Sequence, residues 1–248
     1  MHFRYPLSAV AEMAGLVITA FVIVAGADAY PGTIGTKFVE AGERLAGFVG
    51  FFIALVGTQG PSKVVRDEAD TGTLEQLSIC RPNLMCIIIA RVMADTMRLI
   101  PILILALGAV AHISGIEISL PFIKVFVILL AIGVGMSGWG FLIASLVLLY
   151  KRMGFLINLF SLAMLPLAIL PMKDLPASIS LAAAMVPFRW GNALLQGAIM
   201  PGAVGPESVW TSVLAPFLAS SVATIAIGIA VFAYADRIAR KDGLLGKY

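Results

Sequence analysis

The sequence predicts an all-α polytopic membrane protein. Six transmembrane helices are expected, with both termini on the cytoplasmic side and short re-entrant or interfacial helices between the fifth and sixth spans. Three observations predict it. The first is composition: 60% of the 248 residues are hydrophobic and only 12% are charged, with a mean hydropathy of +1.00. A soluble domain is about 45–50% apolar and about 25% charged, so this chain lacks the charge to cover a water-facing surface of its size. The second is run length. A helix needs about 20 apolar residues to cross a ~30 Å hydrocarbon core, and the chain holds six long windows with almost no Asp, Glu, Lys or Arg. The strands of a membrane β-barrel are about ten residues long with alternating polarity; these runs are longer and apolar on all sides. The third is the placement of the basic residues, described below.

The same composition excludes other classes. Disorder needs low hydrophobicity and high net charge. Nucleic-acid binding is not expected, because the net charge is only +3 and no basic tract with interleaved aromatics is present.

The spans follow in order. The first covers about 8–28, where Glu12 is the only charge between Tyr5 and Ala27. Arg4, the apolar run and Ala27-Asp28-Ala29 mimic a signal peptide with its cleavage site; the segment is expected to be retained as a span. The second covers 43–61, the third 94–114, the fourth 122–150, the fifth 153–172 and the sixth 209–235. Leu175 to Phe188 and Trp190 to Pro206 are also charge-free, but Pro176, Pro187, Pro201 and Pro206 break them. The segment 173–207 is therefore expected to hold short helices that lie in the interface or re-enter partway, the alternative being a broken seventh span. Trp190 suits the headgroup region.

Topology follows from Lys and Arg. With the N-terminus inside, six spans place Arg4, Lys63, Arg66, Arg81, Arg91, Arg98, Lys151, Arg152, Arg237, Arg240, Lys241 and Lys247 inside. Lys37, Arg44, Lys124, Lys173 and Arg189 fall outside, a split of twelve to five. Cys80 and Cys86 then face a reducing compartment and are expected as free thiols. Two Cys and the distant His2 and His112 are too few ligands for a metal site.

The cytoplasmic stretch from Pro61 to Arg98 keeps Lys63, Arg66, Asp67, Glu68, Asp70, Glu75, Arg81, Arg91, Asp95 and Arg98. Its middle reads as an acidic segment, a break at Gly72 and a short amphipathic helix, with Thr71 or Thr73 able to cap that second helix. Leu74 and Leu77 share a face, and Pro82 stops it. A charged and apolar element at the membrane rim suits docking to a soluble partner; a solvated loop between two spans is the plainer alternative.

These residues carry a resemblance. Arg66-Asp67-Glu68, then Gly72-Thr73-Leu74-Glu75-Gln76-Leu77, then Pro82, resemble the signature of ABC-2 type transporter permeases, the membrane subunits of ATP-binding-cassette exporters. Arg4-Tyr5-Pro6-Leu7 and the ending from Asp236 to Tyr248 are similar to the family's first helix start and tail, so the resemblance spans the chain. Cys80-Arg81-Pro82 and Asp70-Thr71 depart mildly from the usual pattern, and only seven residues precede Ser8 where the family carries an amphipathic elbow helix. The resemblance implies six spans, a second permease copy in a homodimer or heterodimer, and two cytoplasmic ATPase subunits in the inner membrane. It implies that segment 62–93 is the coupling element, with Arg66, Asp67, Glu68, Gly72, Thr73, Leu74, Glu75 and Leu77 at the ATPase. ATP and Mg would sit on the partner, since this chain has no G-x-x-x-x-G-K-[ST] and Gly32 to Lys37 has the wrong spacing. Val186-Pro187-Phe188 resembles the family's outer turn, so Pro187 and Phe188 are candidate gate residues.

Ionisable and polar groups within spans are functional candidates. Glu12 is one, although Arg4 lies within about two turns of it and both can reach the interface. Asp95 has Arg91 at i−4 and Arg98 at i+3, so the three share a face; they read as an ion-paired cytoplasmic end of the third span or as a transmission element. Gly133 and Ser137 form a small-xxx-small pair suited to packing within one subunit. Asn158 is a candidate inter-helix hydrogen-bond donor in the pathway. No catalytic constellation is visible. The expected activity is export of an apolar or amphipathic compound (a drug, antibiotic, lipid or glycan carrier) by ATP-driven alternating access, with the chain itself not an enzyme. An ion-coupled secondary transporter is the first alternative and a polytopic enzyme acting on lipids the second.

Overall fold

The computed structural model describes residues 34–73, 84–115, 121–150, 158–160, 162, 185–199 and 206–241. Five helices order this part of the chain: α1 (Ile34–Asp70), α2 (Leu84–Ser114), α3 (Phe122–Leu149), α4 (Pro187–Ile199) and α5 (Pro206–Lys241). Four of them are long and apolar enough to cross a membrane, over Gly42–Asp70, Leu84–Ile113, Phe122–Leu149 and Ser212–Lys241. They take the places of the second, third, fourth and sixth expected spans. The first expected span, with Glu12, and all but a few residues of the fifth lie outside the described residues.

The helices begin and end where local chemistry dictates. In α3, Pro121 precedes the first turn and Val125 N–H bonds its carbonyl at 3.0 Å. Beyond Lys124, no charge or further proline interrupts α3 until Tyr150 leaves the helix in an extended conformation. Pro61, Pro101 and Pro216 lie inside α1, α2 and α5. Packed neighbours let membrane helices tolerate such breaks, and Pro61 is buried against α3. Hydroxyls inside the bundle bond back along their own helices, Thr96 to Val92 O at 2.8 Å and Ser145 to Phe141 O at 2.7 Å.

Helix extends into the charged stretch from both sides: residues 62–70 of the expected segment 62–93 continue α1, and 84–93 open α2. The acidic residues therefore ride on the last turns of a 37-residue helix about 55 Å long. Nothing between Pro61 and Asp70 favours another conformation, and Val64, Val65 and Ala69 are buried on the inward side.

α3 is the central element. Its glycines face two neighbours. A Cβ built on Gly140 would lie 2.6 Å from Gly57 O and 2.8 Å from the Pro61 ring, and one on Gly133 would lie 2.8 Å from Thr96 Cγ2. On another side, Gly138 abuts the backbone of Thr224 and Gly228 abuts Gly138 in turn. Thr224 Oγ1, which lies 2.8 Å from Ser220 O of its own helix, is also within hydrogen-bond reach of Gly135 O across this seam, at 3.3 Å. Only glycine permits backbones to approach so closely, and such small-residue seams drive helix association where lipid offers no hydrophobic gain. Of the expected pair, Gly133 packs against α1 and α2, while Ser137 is half-buried and donates to Val134 O of its own helix. Around this axis one apolar cluster gathers Ile53, Leu103, Leu107, Leu129, Ile132, Phe188 and Leu195, and another Val65, Leu84, Ile88, Leu148 and Phe232.

The seams also set register. Gly133 meets Ile53 and Thr96, and Gly135 meets Ser221. Ile53 and Ser221 lie at the midpoints of the charge-free windows of α1 and α5, and Gly133 lies about 7 Å from that of α3. Thr96 of α2 is thus level with Gly133 and Ile53, and the charge-free stretch of α2 begins three residues farther on, at Leu99.

Gly138→Leu is expected to destabilise the bundle by at least about 1–3 kcal/mol, because the side chain meets backbone that cannot yield. Thermal unfolding in detergent measures it. Ala226→Leu, on the exposed side of α5, serves as the control and should leave the midpoint nearly unchanged.

Candidate functional site

The joined ends of α1 and α2 form the first candidate site. α1 stops because Gly72 adopts φ +70°, a left-handed conformation that costs other residues about 1–2 kcal/mol. Gly72 N–H bonds Ala69 O at 3.1 Å and Thr73 N–H bonds Glu68 O at 3.0 Å, the paired bonds of a Schellman motif. Thr71 Oγ1 donates to Asp67 O at 2.9 Å, and the two threonine hydroxyls lie 2.8 Å apart. Thr71 and Thr73 therefore finish α1, their hydroxyls donating back to carbonyls that α1 leaves unpaired; the following helix that one of them was expected to cap lies outside the described residues. Leu74, Glu75 and Leu77 lie outside the described residues.

The acids at this end divide into two groups. Glu68 is turned inward: Oε1 accepts from Arg91 Nη1 at 2.8 Å and Oε2 accepts from the Thr73 hydroxyl. Its side chain is only 16% exposed, against 53% for Arg91. Side chains tilt toward their helix N-terminus, so Arg91 leans toward the joined ends and Glu68 leans away from them, and the two meet. Glu68 is thus committed to holding α1, α2 and the turn together, and its carboxylate is not presented to a partner. Arg66, Asp67 and Asp70 are exposed, with Arg66 Nε 3.6 Å from Asp70 Oδ2. Among the described residues they are exposed charges on the last turns of α1.

Arg91, Asp95 and Arg98 are all exposed on α2. They do not form the expected triad: Arg91 pairs with Glu68, and no pair between Asp95 and either arginine is present among the described residues. Nor do all three sit at the end of the bundle. Asp95 and Arg98 flank Thr96, level with Gly133 and Ile53.

The candidate gate residues belong to α4. Its 13 residues span about 20 Å, too short to cross a bilayer. Gln196 Nε2 reaches Glu43 O at 3.4 Å at one end, while Pro187 at the other lies beside Gly135 and Ser221. α4 therefore penetrates to mid-depth between α1, α3 and α5. Phe188 is fully buried, so Pro187 and Phe188 close this space. Asn192 Oδ1 and Ser221 Oγ are buried there with no hydrogen-bond partner. Arg189 lies over the Trp190 ring at 5.4 Å. Asn158 is helical and exposed, and nearby Phe160 packs on Trp139 with centroids 5.3 Å apart.

Sequence reasoning missed the Glu68–Arg91 pair, because 23 residues separate the partners. It also missed Thr96, whose position depends on a glycine in another helix.

Gly72→Ala should cost about 1–2 kcal/mol, the penalty of a left-handed residue bearing Cβ. A double-mutant cycle on Glu68 and Arg91 should give a coupling of about 0.2–1 kcal/mol, because Arg91 is half exposed to solvent. Unfolding of the purified protein measures both; no loss in Gly72→Ala would contradict the turn. Comparison of the chain with protein-family models, with curated proteins and with solved structures gives no match.

Proposed function

We propose that the chain is the membrane subunit of an ATP-binding-cassette exporter of the ABC-2 type, working as a dimer with two cytoplasmic ATPase subunits. The observation that carries this reading is the joined end of α1 and α2. Two apolar helices end there in a charged tip, whose Schellman turn at Gly72 leads directly into Leu74-Glu75-Gln76-Leu77. Arg66, Asp67 and Asp70 would contact the ATPase, and Glu75 and Leu77 would follow on the coupling segment. Glu68 and Arg91 would hold the segment against α2, so that a push on the tip is delivered to a span. Lys63, Arg66, Arg91, Arg237, Arg240 and Lys241 lie toward this end, which favours it as the cytoplasmic side. ATP binding by the partner would then bias an alternating-access equilibrium. The cargo would be amphipathic, taken from a bundle whose walls are otherwise apolar.

Asp95 and Arg98, exposed on α2 beside Thr96 and Gly133, favour one second reading, an ion-coupled secondary transporter, a class that uses ionisable groups within its bundle.

One experiment separates the two. The tagged chain is expressed with its native neighbours, purified in mild detergent and assayed for ATP hydrolysis and vanadate-trapped nucleotide. The expected result is an ATPase that co-purifies in equal amount. An Asp67→Arg/Asp70→Arg variant should lower hydrolysis at least about tenfold, the size of a 1.4 kcal/mol interaction. Transport that survives ATP depletion and collapses with the ion gradient would contradict the ATPase-coupled reading.

A further inference from the structure

α4 is a half-helix whose N-terminal end lies inside the bundle. A Cβ built on Gly135 would lie 3.2 Å from Pro187 Cβ and 2.6 Å from Ser221 Oγ, and one on Gly50 would lie 3.4 Å from Phe188 Cε2. Ser221 is at the midpoint of the charge-free window of α5, while Gly135 and Gly50 are about 4 and 5 Å from those of α3 and α1. Three helices thus agree in placing the start of α4 near mid-depth, with its other end beside Glu43.

The charge at that start has the wrong sign for a bare helix. A helix N-terminus is the positive end of the helix dipole and favours Asp or Glu in the first turn. α4 has no acid there and carries Arg189 instead. Arg189 is half-buried, its guanidinium 5.4 Å from the centre of the Trp190 ring. It lies two residues, or about 3 Å, outward of Pro187. A side chain of about 6 Å does not bring its charge to an interface about 15 Å from the midplane. Two positive groups are therefore gathered at one point inside the bundle, and ionisable groups at such depth mark substrate and ion sites.

A hydroxyl beside them lacks an acceptor. Ser221 is 8% exposed, and its Oγ has no hydrogen-bond partner among the described residues. Its neighbours on α5 are satisfied: Ser220 donates to Phe217 O at 3.0 Å and Thr224 to Ser220 O at 2.8 Å. A buried hydroxyl left unpaired costs stability, and an anion at the start of α4 would pair it. Met185, two residues ahead of Pro187, is 66% exposed, so the approach to the first turn is not packed shut. Asn192 Oδ1 also lacks a partner, but it faces Gly50 on the α1 side and belongs to another face of α4.

We propose that the N-terminal end of α4, with Arg189 and Ser221, binds the anionic group of an amphiphile, a phosphate or a carboxylate, near mid-depth. Arg189 supplies charge-assisted hydrogen bonds, the Ser221 hydroxyl a further donor, and the helix end a positive potential. Arg189 stands across α4 from Pro187, but helical side chains tilt toward the N-terminus, so it leans to the same end. The apolar tail stays among the apolar side chains of the bundle. The site needs no ATPase, so it stands or falls apart from the exporter reading.

Trp190, next to Arg189, reports on the site. In a Trp139→Phe/Trp210→Phe chain purified in dodecyl maltoside, its emission is titrated with decyl phosphate, decyltrimethylammonium and inorganic phosphate. Decyl phosphate should shift the emission saturably. Arg189→Gln should raise the half-saturating concentration at least about tenfold, and Ser221→Ala, which removes one buried hydroxyl and spares the fold, should raise it as well. Nanodiscs of phosphatidylcholine and of phosphatidylglycerol separate two sources of the anion. A response lost only in phosphatidylglycerol means that a membrane lipid fills the site, and a response kept in both means a solute; either supports it. No saturable shift, an equal response to decyltrimethylammonium, inorganic phosphate as effective as decyl phosphate, or unchanged half-saturation in both variants overturns the proposal.

Discussion

Backbone contact between α3 and its neighbours is the constraint from which the rest of the structure follows. Gly57, Gly133 and Gly140 bring α1 and α3 together, and Gly138 with Gly228 brings α3 and α5 together. In a bilayer the hydrophobic effect cannot hold helices against one another, so the seams must supply van der Waals contact and the occasional interhelical hydrogen bond. Thr224 to Gly135 O is such a bond. A glycine seam cannot slide freely, because moving by one turn would replace glycine with a bulkier side chain such as Ile132, Phe141 or Leu129. Packing therefore fixes depth as well as proximity.

Depth is what gives the charges their meaning. Ten charged residues lie between Pro61 and Arg98, and those that can be placed occupy two different settings. Arg66, Asp67 and Asp70 stand on the tip of α1 in solvent, where a surface pair such as Arg66–Asp70 contributes little to stability and is available to a partner. Glu68 and Arg91 are used internally, joining two helices and a turn. Asp95 and Arg98 are exposed on α2 beside Thr96, just before its charge-free stretch begins at Leu99. One stretch of sequence thus holds charges in different settings, separated by which helix face and which level each residue occupies.

Much of this architecture was legible before any coordinates. Run length and charge-free windows locate α1, α2, α3 and α5, because the bilayer imposes a length and the absence of charge on any span. The prolines of 173–207 made a short helix legible there, but not its bounds: Pro187–Ile199 runs through Arg189, where the two expected pieces were divided. Helix ends near the charged tip were not, because residues 62–70 are polar on one side and buried on the other, and a count of charges reads them as loop. The role of Glu68 was not legible either: its partner Arg91 is close only after the helices pair. Glycines on α3 were readable as small, but which helices they admit is a property of three dimensions. The level of Asp95 and Arg98 against Gly133 follows from that pairing, and the sequence alone does not show it.

The place of Asp95 and Arg98 in the bundle depends on the register of α2 against α1, and a disulfide measures it directly. A Cβ on Gly60 would lie 3.5 Å from that of Val92, within the roughly 3.5–4.5 Å that a disulfide requires. Gly60→Cys/Val92→Cys in a chain lacking Cys80 and Cys86 should close under mild oxidation in native membranes. Gly60→Cys paired with Ile88→Cys or Thr96→Cys, one turn to either side, should not. Closure of a shifted pair in place of Gly60→Cys/Val92→Cys would move Asp95 and Arg98 to another depth and contradict the account.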